Sequence, residues 1–525
     1  MSITPSFARS SHGDTSLEKL TRRTGLEILQ HQGRRPESAE TSAISDLEKL
    51  AMIIRNLSTD RRHSRELLRY LLQRIAVLIM ASILSPHDVC HVFADNVIAT
   101  SNRPNVVFII ADDLGWSDVA FHGGNAPTPN LDKLARDGLE LTHHYVAPVC
   151  SPTRTGLMTG RFWSRFGVTS PQNERAMPWN TTTLASALKS AGYDTCLCGK
   201  WHLGSKVEWG PNHFGFDHSY GSLAGGVGPW NHFYKQGPFS VTWHRDEKLI
   251  EESGHVTDLI ANEAIGWLEA RQSPFFLYVP FTAVHLPLRE PDEFLKLVPA
   301  AITGDVPRHY AASVMHLDAA VGRIVAALEK SGKRENTLLV FTSDNGGSTA
   351  ENNDTKYPAD NYPNGKLTGN NLPLRGGKGG LYEGGIRVPT MVSWPGKLKA
   401  GKLDAPVHIV DWMPTFCTLA GAQQSPANLK WDGVNLSAAL AGQGTVPART
   451  LYWVAPGFNA RAVRVGNWKL IAFEDGKRKG TELYDVEHDP SEMKDLAAEQ
   501  PAKLAELKRE LDRVSAADRD AVAKD

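Results

Sequence analysis

The sequence predicts an α/β fold with a largely buried sheet, followed by a smaller α+β subdomain. Three observations carry this. From residue 104 onward, short apolar, β-branched runs alternate with helix-length stretches, the pattern of strands covered by helices. The 525-residue chain is 41% hydrophobic and 22% charged, which supplies a large core and excludes bulk disorder. After about residue 440 the apolar runs shorten and Gly turns separate them.

The elements follow in order. Residues 1–66 are polar, with Arg-Arg pairs at 22–23, 34–35 and 61–62. They read as a mobile N-terminal extension or as an over-called start. Next, Arg65, Arg69 and Arg74 precede the apolar run Ile75–Leu84, and small-residue cleavage candidates follow at Val92-Phe93-Ala94 and Val97-Ile98-Ala99. Residues 67–94 thus describe an export signal, reconciled with its position by an internal start codon. The run is too short to span a bilayer comfortably, and its alternative is a buried helix. Residues 95–440 form the main domain. Strands are predicted at Val106–Ala111, Thr195–Cys198, Phe275–Phe281, Leu338–Thr342 and Thr390–Ser393. Helices fit Asn130–Asp137, Thr183–Ser190, Val256–Arg271 and Arg308–Lys330. Residues 203–245 and 346–372 read as long loop excursions, the kind that serve as lids or binding walls. In residues 441–525, short strands at Ala462–Val465, Trp468–Ala472 and Glu482–Asp485 precede a polar helix over 498–516.

Charge and cysteine content exclude several functions. Lys+Arg is 57 against Asp+Glu 58, a net charge of −1. No global field favours nucleic acid or an anionic membrane, so any anion site is local. Five cysteines in a chain of this length cannot build a disulfide framework.

Polar residues collect where an open sheet binds ligands, beyond the carboxyl ends of strands. Val106–Ala111 runs into Asp112-Asp113, and Leu338–Thr342 into Ser343 and then Asp344-Asn345. Three carboxylates held together repel unless a cation neutralises them. Their hard oxygens suit Ca²⁺ or Mg²⁺ better than zinc; the alternative is that each pair only caps the segment after it. Cys150-Ser151-Pro152-Thr153-Arg154 reads as a helix start, because Pro is at home in a first turn. Cys150 would then lie near a helix N-terminus with Arg154 one turn on. In Gly199-Lys200-Trp201-His202, continued strand geometry would put Lys200 and His202 on one side. His285 follows the strand Phe275–Phe281, and Lys378 sits in the Gly-rich stretch 375–387, which holds no phosphate P-loop. His143 and His144 read as structural. Trp201, Trp209, Trp230 and Trp243 are candidates for sugar stacking or for ordinary packing.

Together these residues resemble the type I sulfatases of the alkaline-phosphatase-like superfamily. Cys150–Gly160 (CSPTRTGLMTG) fits the C-x-P-x-R signature, and Gly192–Leu203 (GYDTCLCGKWHL) fits the second signature, with Cys198 in place of the usual small aliphatic residue or Ser. The stretch Asn370–Gly385 looks most like the subgroup around arylsulfatase B, N-acetylgalactosamine-4-sulfatase. The resemblance covers roughly residues 104–500. It implies a large mixed, mostly parallel sheet flanked by helices, with a C-terminal antiparallel sheet and helix. It implies that Cys150 is converted to formylglycine by a formylglycine-generating enzyme and hydrated to a gem-diol. It also implies that Asp112, Asp113, Asp344 and Asn345, with position 150, hold Ca²⁺, ahead of Mg²⁺. Arg154 and His202 match the groups that hold the diol, and Lys200, His285 and Lys378 match the sulfate-binding and leaving-group residues. The implied activity is hydrolysis of sulfate monoesters, of a small molecule or a sulfated oligosaccharide, by an exported enzyme (periplasmic or secreted, or lysosomal in a eukaryote). Two alternatives are a phosphodiester or phosphonate ester hydrolase of the same superfamily, and a sulfated-glycan binding protein with unmodified Cys150.

Overall fold

The predicted apolar runs become the middle of a ten-stranded sheet. The computed structural model describes residues 103–353, 356–422, 430–476 and 478–522. The segments read as an N-terminal extension and an export signal, 1–66 and 67–94, lie outside the described residues. Four central strands are β1 (Asn105–Ala111), β2 (Asp194–Lys200), β3 (Phe275–Pro280) and β4 (Thr337–Ser343). β1 lies between β3 and β4, parallel to both, and β2 runs parallel on the far side of β3. Beyond β4 come Met391–Ser393, Leu139–Leu141 and Gly401–Leu403; beyond β2 come His218–Ser222, Trp243–Arg245 and Lys248–Leu249. Met391–Ser393 is antiparallel to β4 and Trp243–Arg245 to His218–Ser222, so the sheet is mixed with a parallel centre.

The reason the central runs are continuously apolar is visible in β1. Val106, Phe108 and Ile110 face one hydrophobic cluster, Val107, Ile109 and Ala111 the other. The side-chain period of two sends alternate residues to opposite faces, and both faces are covered. One layer contains Cys150–Thr159, Leu184–Ser190 and Trp412–Ala420, whose Leu157, Leu188 and Phe416 enter the first cluster. The other contains Val256–Glu269 and Asp305–Lys330, whose Ile260, Leu317 and Ile324 enter the second. Each such side chain contributes roughly 1.5–3 kcal/mol by leaving water. Asp305–Lys330 is apolar and long enough to cross a membrane, but 67% of its apolar window is buried inside the fold, as expected of a core helix.

Thr450–Val454, Ala460–Val465, Trp468–Glu474 and Lys479–Asp485 form a four-stranded antiparallel sheet. The helix Pro501–Ser515 packs on it through Leu507, Leu511 and Val514. Two sequence expectations change. The segment 203–245 is not one loop excursion: it supplies His218–Ser222 and Trp243–Arg245 to the main sheet. Their Gly and Ser content had hidden them. Nor does strand geometry persist to His202. β2 ends at Lys200, and His202 adopts φ 59°, which turns the chain into the left-handed region.

Candidate active site

Register sets the site. Ala111 of β1 pairs with Ser343 of β4, so Asp112 and Asp344 emerge side by side from adjacent parallel strands. The Asp344 amide donates to the Ala111 carbonyl (3.0 Å), and the Asp113 amide donates to Asp344 Oδ1 (3.2 Å). Asp113 has φ 62°, a turn that lets two consecutive aspartates serve one centre. Asn345 Nδ2 donates to Asp113 Oδ1 (2.7 Å). All four side chains are fully buried.

The helix Cys150–Thr159 begins against this ledge. No side chain caps its N-terminus, Val149 being the N-cap residue. Its first turn clasps both neighbouring strand ends: Thr153 Oγ1 donates to the Asp344 carbonyl (2.5 Å) and Ser151 Oγ to the His202 carbonyl (2.9 Å). Arg154 completes the clasp, giving one nitrogen to Asp344 Oδ2 (2.8 Å) and another to the Lys200 carbonyl (2.6 Å). Cys150 Sγ and a carboxylate oxygen each of Asp112 and Asp344 lie within 4.8 Å of one another. Burial pushes the Cys150 thiol up to about 11, with Lys200 offsetting this only in part. A bare thiol here is protonated and a poor nucleophile.

Cations meet the carboxylates from two sides. Lys200 Nζ bonds Asp112 Oδ2 (2.5 Å); Lys378 Nζ bonds Asp113 Oδ2 and Glu351 Oε2, each at 2.7 Å. Burial opposes the charge on Lys378, but Asp113 and Glu351 outweigh it and hold the ammonium well above the usual lysine range. Burial, then Asp344, drives Asp112 well above the usual carboxylate range despite Lys200. His285 Nε2 stands 3.8 Å from Asp113 Oδ2, and burial followed by Lys378 and Lys200 keeps the ring neutral. Burial followed by Lys200 and Arg154 does the same to His202. A Cβ at Gly225 would come within 2.4 Å of His202 Nε2, so this position needs glycine to let the imidazole sit there.

All ten residues that the sequence singled out therefore converge. The pattern of unfilled valences is informative: Asp112 Oδ1, Asn345 Oδ1, Arg154 Nε and His202 Nδ1 are buried without a hydrogen-bond partner among the described residues. Oxygen atoms without donors, beside a crowd of carboxylates, fit a hard divalent cation.

Sequence reasoning missed Glu351, Tyr234, Lys235 and Tyr357, which border the site from the two predicted excursions. No motif marks them, and only the loop paths bring them in. His144 is structural as expected, accepting from Trp412 Nε1 (3.0 Å). Cys196 and Cys198 are free thiols in the core, 3.4 Å apart at sulfur. Trp201 and Trp243 are buried in the fold rather than offered to a sugar.

Comparison with known proteins decides the family. The sulfatase family model matches residues 104–422, and the model for the N-sulphoglucosamine sulphohydrolase C-terminal region matches 377–517. The chain belongs to the sulfatase family. It is a sulfuric ester hydrolase. This sulfatase is 33% identical to human arylsulfatase A over 79% of its own length and 83% of the relative's. It is 32% identical to N-acetylgalactosamine-6-sulfatase of Rattus norvegicus over 70% of its length and 71% of the relative's. Among solved structures, Ps i-CgsB in complex with k-i-k-neocarrahexaose is 31% identical, with TM-score 0.70, over 81% of this chain and 95% of that one. The relatives span arylsulfatases and a galactosamine sulfatase, so they fix the family and not the subgroup around arylsulfatase B.

Proposed function

We propose that this sulfatase is an exported enzyme that removes sulfate from a sulfated carbohydrate, using Cys150 in its formylglycine form. The observation that carries the reading is the uncapped helix N-terminus bearing Cys150, set within 4.8 Å of the Asp112 and Asp344 carboxylates. Asp112, Asp113, Asp344 and Asn345, with position 150, would hold Ca²⁺; the unpartnered Asp112 Oδ1 and Asn345 Oδ1 supply the fit. The bound cation would offset the negative charge of the sulfate ester and of the group at position 150. As a hydrated aldehyde, position 150 would offer one hydroxyl to accept the sulfuryl group and a second whose deprotonation releases sulfate.

The remaining residues work around that centre. Arg154 fixes Asp344 and the end of β2 in one clasp. Lys200 and Lys378 present ammonium groups to sulfate oxygens that gain charge in the transition state. His202, neutral and with Nδ1 unpartnered, is the acceptor for the diol proton. His285 and Lys378 lie together beside Asp113, and one of the two would supply the proton to the leaving alcohol. Cys150, Pro152 and Arg154 are all buried, so a formylglycine-generating enzyme reading this motif would meet it before folding is complete. Residues 95–440 would form the catalytic domain and 441–525 its subdomain.

Mass spectrometry of the Cys150 peptide tests the modification, with the aldehyde expected. Turnover of an aryl sulfate in preference to phosphate esters tests the ester class; the reverse preference sinks the sulfatase mechanism. Chelation should abolish turnover, and Ca²⁺ should restore it better than Mg²⁺.

A further inference from the structure

The mouth of the site carries positive charge that the mechanism does not use. A cleft of about 560 Å³ is lined by Asn173, Tyr234, Lys235, Phe239, Lys356 and Tyr357. It opens on the His285 side, because Gly226 packs against both: a Cβ there would lie 2.6 Å from Tyr357 Oη and 3.3 Å from His285 Nδ1. Tyr357 is 7% exposed, and its hydroxyl has no hydrogen-bond partner among the described residues.

Lys235 is half-buried, with its ammonium beside a pair of aromatic rings, 5.5 Å from the Tyr234 centroid and 5.6 Å from that of Tyr357, the two rings standing 5.9 Å apart edge to face. Neither Lys235 nor Lys356 makes an ion pair among the described residues. The acid nearest in influence, Glu351, is bonded to Lys378 instead. Burial lowers the proton affinity of Lys235, and Lys378, Lys356 and Lys200 lower it further against the pull of Glu351. A solvated surface lysine is free to turn away from such neighbours; one half-buried against two ring faces gives up packing and cation–π attraction to do so. The arrangement is a half-buried cation without a counter-ion among the described residues, with the exposed Lys356 on the same concave wall and aromatic faces for a ring.

We propose that Lys235 and Lys356 form a second anion subsite on the leaving-group side. The substrate is then a saccharide that carries a further anionic group, sulfate or carboxylate, beside the scissile sulfate ester. This rests on the sulfatase reading and narrows it from sulfated carbohydrates to doubly charged ones.

The test compares four substrates on aldehyde-bearing enzyme: 4-nitrophenyl sulfate, a neutral monosulfated disaccharide, its disulfated form, and a monosulfated disaccharide containing a uronate. Wild type should favour one or both doubly charged disaccharides by about tenfold or more in kcat/KM. The last two arms tell sulfate from carboxylate. Lys235→Gln should erase most of that preference through KM, with a smaller loss on 4-nitrophenyl sulfate, and Lys235→Arg should retain it. Equal turnover of singly and doubly charged disaccharides overturns the proposal, as does an equal loss on the aryl sulfate. Calorimetric binding of the same disaccharides to Cys150→Ala protein separates the two readings. A tenfold preference there, absent when Lys235→Gln is added, supports the subsite even if no sulfate ester is turned over. Equal affinities there overturn it.

Discussion

Two clusters of buried charge stand about five residues apart along one segment of chain, and they differ in a single respect. Lys378 belongs to the cluster over the strand ends, with Asp112, Asp113, Asp344, Lys200 and Arg154. Glu383 belongs to a second cluster, where Lys469 Nζ lies 2.9 Å from Glu383 Oε1 and 2.9 Å from Glu492 Oε1. In that second cluster three of the four carboxylate oxygens take a hydrogen bond: Lys469 and Tyr145 donate to Glu383 Oε1 (2.9 Å) and Oε2 (2.7 Å), and the Glu383 amide donates to Glu492 Oε2 (2.6 Å), while Glu492 Oε1 takes none but lies 2.9 Å from Lys469 Nζ. The cluster ties the Gly-rich segment to the C-terminal sheet and so braces the loop that carries Lys378. Around the first cluster four polar atoms, on Asp112, Arg154, Asn345 and His202, have no hydrogen-bond partner among the described residues, against that one oxygen in the second. Equal burial and similar composition thus yield opposite roles. A nearly closed set of charges holds structure together, and a more open one leaves valences that a ligand can fill.

Four substitutions would break or sharpen that contrast. Cys150→Ala should lower turnover of an aryl sulfate by about 10⁴-fold or more while the melting temperature holds. Normal turnover would refute the nucleophile. Lys469→Met removes the cation that Glu383 and Glu492 share and leaves Arg387, 3.8 Å from Glu383 Oε2, as the nearest positive charge to Glu383. It should cost about 3–5 kcal/mol in denaturant unfolding, and a protein of unchanged stability would show that the second cluster is not a brace. Lys378→Ala should cost on the order of 10²-fold in kcat/KM. In Ca²⁺-containing buffer its stability should stay near wild type, which separates the open cluster from the closed one. The smallest effect concerns pH. Burial, only partly offset by Lys469, raises Glu492 to about 7; for Glu383 burial is opposed by Lys469, Arg387, Arg464 and the Tyr145 hydrogen bond, which together hold it down at about 2. The folded protein therefore binds the Glu492 proton more tightly than the unfolded chain. That contribution is full below the unfolded value near 4.5 and is lost as pH rises through about 7. Glu383 has the opposite sign: its contribution is full above 4.5 and is lost as pH falls toward 2. Between pH 6 and 8, Glu492→Gln should flatten the decline in stability by about 1 kcal/mol; an unaltered slope in a pH series of unfolding curves would contradict this.

Legibility followed local constraint. The central strands were readable because burial on both faces demands unbroken apolar runs, and each falls within one or two residues of its expected bounds. His218–Ser222, Trp243–Arg245 and Thr450–Val454 were not readable as strands, since their pairing comes from neighbours remote in sequence. The ten candidate site residues were legible because they stand in short motifs at strand ends and at one helix start. Glu351, Lys235 and Tyr357 were silent, because nothing about a lysine or tyrosine in a loop says what stands opposite it.

The sequence by itself determined the fold class, the family and the candidate residues that gather at the strand ends, because these depend on residue type and on spacing within a few positions. Tertiary structure alone decided which charges find partners. Whether a buried carboxylate or ammonium is neutralised depends on atoms brought to within about 3 Å from distant segments, and electrostatic energy in a low-dielectric interior changes steeply over that distance.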